Sequence, residues 1–169
     1  MVFLRADKPP RHVLDTLAAP KGGRTLASAV LGDGTWLVAT TLGLAVWRAD
    51  GARFHPWDRI DRAVLRRRGA QLSVTFSGEA TPELFAIEPK DKRFASILNE
   101  RLQASVVEVQ HVETPSGQVI VALRRDPADQ SLHIQEIWDD AVDRPAAAAL
   151  VKAARDRLGE AAGLPRSAW

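Results

Sequence analysis

Residues 34–76 read GTWLVATTLGLAVWRADGARFHPWDRIDRAVLRRRGAQLSVTF, and the fold follows from how this stretch is punctuated. Short apolar or alternating runs stop at Gly43, at Asp50-Gly51 and at Gly69. Glycine and aspartate tolerate the backbone angles of tight turns, so the pattern predicts antiparallel strands joined by hairpins. The expected strands are Trp36 to Thr41, Leu44 to Arg48, Arg53 to Trp57, Ile60 to Arg67 and Leu72 to Phe76. Pro56 donates no N–H, which places its strand at an edge or makes it a strand end. Trp36, Val38 and Thr40 share one face of their strand. Trp36, Val38, Val46, Leu72, Val74 and Phe76 are expected to build the interior.

Working outward, Leu26 to Leu31 forms a preceding strand, with Gly32-Asp33-Gly34 as its hairpin turn. Residues 1–24, with Pro9, Pro10, Pro20, Gly22 and Gly23, read as a flexible lead-in with a short helix at His12 to Ala19. Leu84 to Ile87 is a further strand. Asp91 then caps a helix whose apolar stripe is Phe94, Ile97, Leu98 and Leu102. After residue 104 come strands Val106 to Val112, Val119 to Leu123 and Leu132 to Trp138. A last helix starts at Asp143, with Pro145 in its first turn, carries the stripe Ala147, Leu150, Val151, Ala154, Leu158 and Ala161, and ends at Gly163. The expected fold class is α+β: an antiparallel barrel or sandwich closed by a helix over residues 25–104, a three-strand plus helix extension over 105–163 packed on it, and a tail at 164–169.

The order of elements in residues 25–104 resembles the pleckstrin-homology-like domains of bacterial proteins of unassigned role. The residues that carry the resemblance are Trp36-Leu37-Val38-Ala39-Thr40-Thr41 followed by Gly43-Leu44, the corner Pro56-Trp57-Asp58-Arg59-Ile60, and Leu72-Ser73-Val74 after a glycine turn. The resemblance covers about half of the chain and implies a barrel that serves as a binding scaffold. Lipid-binding members carry basic residues in the loop between their first two strands; here that loop is Gly32-Asp33-Gly34. The resemblance therefore implies a scaffold without naming a ligand.

The 169 residues are 46% hydrophobic and 26% charged, an ordinary globular balance with no sign of general disorder. The net charge is only +2, although the isoelectric point is 9.4. With no Cys and no Tyr, almost nothing titrates between the amino terminus and the lysines, so a small positive excess persists to high pH. A charge this small disfavours a nucleic-acid partner. Zero cysteines exclude disulfides, thiolate catalysis and Cys-ligated zinc, and fit a cytoplasmic protein. The first residues carry no secretory apolar segment. The longest apolar region, Leu26 to Trp47, is interrupted at Gly32-Asp33-Gly34 and falls short of the about 20 residues a membrane span needs. Peripheral association with a membrane remains compatible with this pattern.

Charge is distributed unevenly. Between Arg53 and Arg68 stand six arginines and two aspartates, a local excess of 6 − 2 = +4. Arginine suits bidentate contacts to carboxylate and phosphate. The candidate surface for an anionic partner is therefore Trp57, Arg59, Arg62, Arg66, Arg67 and Arg68, competing with the plainer role of keeping an edge strand soluble. Between Asp126 and Asp143 stand six acids and no Lys or Arg, a segment able to attract the arginines within one molecule or between two. His111 with Glu113 and His133 with Gln135 share strand faces, but no third metal ligand is fixed by spacing. No G-x-S-x-G and no phosphate-cradling glycine loop occur. The expectation is a non-enzymatic binding or adaptor domain without metal or cofactor. Its partners would be a protein, a second copy of the chain or an anionic lipid headgroup. Self-association through sheet edges or through the face at Ala146–Ala149 is the second expectation, and a small hydrolase the third.

Overall fold

The structure is a computed structural model that describes residues 8–17, 19, 23–66, 71–88 and 91–166. The chain divides into two compact units, residues 1–103 and 104–169. Both are α+β with antiparallel sheets.

In the first unit a short helix, α1 (Arg11–Asp15), precedes a four-stranded sheet of β1 (Thr25–Val30), β2 (Trp36–Thr40), β3 (Gly43–Arg48) and β4 (Gly51–Pro56), paired in chain order. One 3₁₀ turn, Trp57–Arg59, leads into a three-stranded sheet of β5 (Ile60–Arg66), β6 (Gln71–Phe76) and β7 (Glu83–Ala86), also in chain order. The helix α2 (Lys92–Ser105) follows. Gly34 closes the first hairpin at φ +84°, a backbone angle few other residues adopt.

One apolar cluster joins the two sheets and α2. Leu37, Leu44 and Val46 come from the first sheet, Leu72, Val74, Phe76 and Phe85 from the second, and Phe94 and Leu98 from α2. Burying side chains of this size contributes about 1.5–3 kcal/mol each, which makes this cluster the main source of stability for the unit. Trp36 and Val38 are not part of it, contrary to the sequence expectation. They lie on the opposite face of β2, where Val38 and Ala45 pack under Val13 and Leu17, beside Trp36, Trp47 and Phe54. The Trp47 indole N–H donates to Thr16 Oγ1 at 2.9 Å, and its ring meets His12 edge-on at 5.6 Å. The centre of the N-terminal lead-in is thus packed: Val13 is fully buried. The sheet is covered on both faces, which is why its strands read WLVAT and LAVW rather than as strict alternation.

The corner between β2, β3 and the 3₁₀ turn is held by Thr40 and Trp57. Thr40 Oγ1 donates to the Gly43 carbonyl at 2.9 Å and accepts from the amides of Leu42 and Gly43 at 3.2 and 3.0 Å. The Trp57 indole N–H donates to the Thr40 carbonyl at 3.0 Å. A Cβ on Gly43 would stand 2.3 Å from the His55 carbonyl oxygen and 2.7 Å from the Phe54 ring, so only glycine lets β4 approach.

The second unit contains β8 (Val106–Thr114), β9 (Gly117–Arg125), β10 (Leu132–Trp138) and α3 (Arg144–Ala161). The strand order is β10-β9-β8. Ala147, Val151, Ala154 and Leu158 of α3 pack on Val112, Val119 and Val121. Leu150 lies off this stripe and is 51% exposed, because the 3.6-residue period puts it to one side of the 147–151–154–158 row. Asp143 caps α3 by accepting the Ala146 amide at 3.3 Å, and Pro145 sits in the first turn. Arg155 pairs with Glu136 at 3.2 Å, and Arg157 donates to Gln110, tying α3 to both outer strands.

Candidate binding surface on an edge strand

The six residues expected to form a surface have different fates. Trp57 is 1% exposed and belongs to the core; its indole N–H is spent on Thr40. It therefore offers no ring beside the arginines, which corrects the sequence reading. Arg59 is exposed, and its Nε lies 3.7 Å from the buried Asp58 carboxylate. Arg62 and Arg66 stand exposed on β5. Arg67 and Arg68 lie outside the described residues.

The register decides which way β5 presents its side chains. Leu65 pairs with Leu72 and Ala63 with Val74, so these β5 residues follow the core-facing side of β6. Arg62 pairs with Thr75, Val64 with Ser73 and Arg66 with Gln71, so these three share the outward side. Leu84 of β7 pairs with Ser73 and continues the same row. The outward face therefore presents Val64 and Leu84, 39% and 55% exposed, flanked along β5 by Arg62 and Arg66. Among the described residues no acidic side chain pairs with either arginine.

Two arginines of the first sheet, on β3 and β4, are committed. Arg48 and Arg53 both pair with Glu83, the latter at 3.0 Å, and Arg53 also lies 3.8 Å from Glu79. Of the arginines behind the +4 excess, Arg53 is thus paired, and the two described on β5 are Arg62 and Arg66.

β5 also forms one wall of a groove. Ala63, Leu65 and Leu72 on the sheet side face Lys92, Ala95 and Leu98 on α2, enclosing about 340 Å³. The lining is largely apolar with Lys92 as its charge, and Leu65 at its edge is 43% exposed. β5 is an end strand of its sheet, hydrogen-bonded to β6 alone among strands of the described residues.

A second concavity, about 480 Å³, opens between the β1–β2 and β3–β4 turns. Asp33 and Asp50 line it, together with Arg48, which is already paired with Glu83. Asp33 accepts the Thr35 amide at 2.9 Å, and hydrogen bonds from Thr35 hold its carboxyl below the usual aspartate range. An anionic ligand would meet two carboxylates there.

The histidines have local roles. His111 Nδ1 hydrogen-bonds Gln118 Oε1 at 3.2 Å, and the Gln118 amide donates to Glu113, forming a ladder between β8 and β9. His55 stacks on Phe76 at 3.6 Å. Burial, then the Arg53 charge, holds its imidazole below the usual pKa, against weaker opposition from Glu79 and Glu83. Among the described residues no group of three His, Asp or Glu is placed to hold a metal ion. No helix of the described residues is long and apolar enough to cross a membrane.

Set against family models, curated proteins and solved structures, the chain gives no match.

Sequence reasoning found the arginine strand through local charge. It missed the groove, because that requires α2 to run beside β5, and no periodicity within either element encodes their pairing.

Proposed function

We propose that this protein is a non-enzymatic binding or adaptor module that recognises an acidic partner through β5, on a cytoplasmic scaffold of pleckstrin-homology-like type. The observation that carries the reading is the pair Arg62 and Arg66. They flank Val64 on the outward face of an edge strand, while Arg48 and Arg53 are neutralised by Glu83 and Glu79. The scaffold part is supported by the four-strand then three-strand order, one shared core and the helix that follows. Asp33 and Asp50 disfavour a lipid headgroup at the hairpin turns, and at β5 the exposed apolar Val64 between Arg62 and Arg66 fits a partner with both apolar and acidic side chains, a protein. Binding of polyglutamate at low and at physiological salt tests this. Affinity should fall with salt, and should fall about tenfold with Arg62→Glu plus Arg66→Glu, since two exposed pairs are each worth about 0.2–1 kcal/mol and reversal turns attraction into repulsion. Binding unaffected by the double substitution would sink the proposal.

A second reading, self-association, has its own observation. β8 is also an end strand, and it exposes Val107 and Val109 at 43% and 37%. Long apolar edges template pairing with another chain. Sedimentation at tens of micromolar should then show a dimer that Val109→Lys dissociates; a strict monomer rejects this reading.

A further inference from the structure

We infer that β5 receives an extended acidic peptide as an added strand, with apolar side chains of that peptide seated in the groove against α2. This deepens the proposed acidic-partner reading and rests on it. Three features of one place converge. The free edge of β5 over Arg62–Arg66 offers main-chain donors and acceptors at strand spacing. The groove of about 340 Å³ beside that edge is lined by Ala63, Leu65, Ala95 and Leu98. Cations with no acidic partner among the described residues, Arg62 and Arg66 on the strand and Lys92 on the helix, surround both.

The strand period dictates what the peptide looks like. Side chains of an added strand alternate between the two sides of the sheet. On the α2 side they lie beside Ala63 and Leu65, over the groove, and must be apolar. On the other side they lie beside Arg62, Val64 and Arg66. Two acids four residues apart match the two arginines, about 13 Å apart at strand rise, and an apolar residue between them meets Val64. The partner motif is therefore acid, three apolar residues, acid, in extended conformation. A helix about 10 Å across leaves the edge hydrogen bonds unmade. A single-stranded nucleic acid would want exposed stacking rings, and Trp57 is buried.

The test uses the full chain and a fluorescein-labelled peptide with two glutamates four positions apart and valine or leucine between them. Fluorescence anisotropy should show saturable binding. Arg62→Glu with Arg66→Glu should weaken it about tenfold, as should Ser96→Trp, which fills the groove from an exposed helix position. Hydrogen exchange at the alternate amides of residues 62–66 that point away from β6 should slow when the peptide is bound. The same peptide with proline at its centre should bind at least about tenfold less well, because proline lacks the N–H and resists the ladder. Equal binding of the proline peptide, or unchanged exchange in β5, overturns strand addition. Arginine-dependent polyglutamate binding would in that case leave the broader acidic-partner reading standing. Binding to phosphatidylglycerol vesicles through the same arginines, without peptide binding, overturns the inference in favour of a membrane surface. Occupation of β5 by a second copy, seen as a dimer lost in Arg66→Glu, overturns it in favour of self-association.

Discussion

Trp57→Phe separates a core residue from a surface one, and the two readings of Trp57 predict opposite results. In the structure Trp57 is 1% exposed and donates to the Thr40 carbonyl at 3.0 Å. Phenylalanine removes the donor. Losing a buried hydrogen bond and leaving its acceptor behind costs about 1–3 kcal/mol. The smaller ring leaves a void of roughly 40 Å³, which adds about 1 kcal/mol at ~24 cal/mol per Å³. The sum is about 2–4 kcal/mol, a large share of the 5–15 kcal/mol typical of a domain. With a urea slope of about 1–3 kcal/mol per molar, the midpoint should fall by roughly 1–3 M. Far-UV circular dichroism is the right probe, since the substitution removes a fluorophore. In native buffer, affinity for polyglutamate should be unchanged per folded molecule, because the ring is buried while Arg62 and Arg66 are exposed. A midpoint shift below about 0.3 M, accompanied by lost binding, would refute the placement of Trp57 in the core and restore it to the surface.

Two further substitutions test the fold at distant points. Asp143→Ala removes the side chain that accepts the Ala146 amide, and should destabilise the second unit by about 1 kcal/mol in urea unfolding, with Asp143→Asn nearly neutral. His55 provides a pH dependence. Its pKa is lowered on folding, chiefly by burial, so its contribution is fully present above the unfolded value of 6.5 and is lost as pH falls through the lower folded value. Stability should therefore decline below pH 6.5, and His55→Gln should flatten that part of the profile relative to the parent; an unchanged slope between pH 7 and 5 would count against the buried histidine as its source.

Much of the architecture was legible because strands and helices carry their own periods. The alternation Leu72, Val74, Phe76 and the Gly and Asp-Gly breaks gave the strands to within a residue or two, and the α3 cap was readable at Asp143. What sequence could not give was which face met which neighbour. Trp36 and Val38 share a face, but whether that face meets the main core or α1 depends on residues 11–17 folding back. The signal was present in the runs WLVAT and LAVW, which are apolar on both sides and so demand two coverings. Trp57 was misplaced for a related reason. An aromatic beside arginines reads as a surface corner, whereas the deciding fact is the acceptor that Thr40 turns toward its indole, a contact across seventeen residues.

The fate of the basic segment shows how little a charge count says about a site. Arg53 is drawn to Glu79, in the turn after β6, and to Glu83, the first residue of β7, and Arg48 converges on the same Glu83. Arg59 leans toward Asp58, its own neighbour. These three have their charge offset by nearby carboxylates. Arg62 and Arg66 differ because the β5–β6 register puts both on the outward side, and because an edge strand has no third strand to supply an acid opposite them. The geometry that leaves the two arginines unmatched also leaves the strand's outer backbone without a partner strand. Charge, main-chain hydrogen bonding and the apolar groove of α2 therefore coincide on β5 for a single structural reason: it ends its sheet.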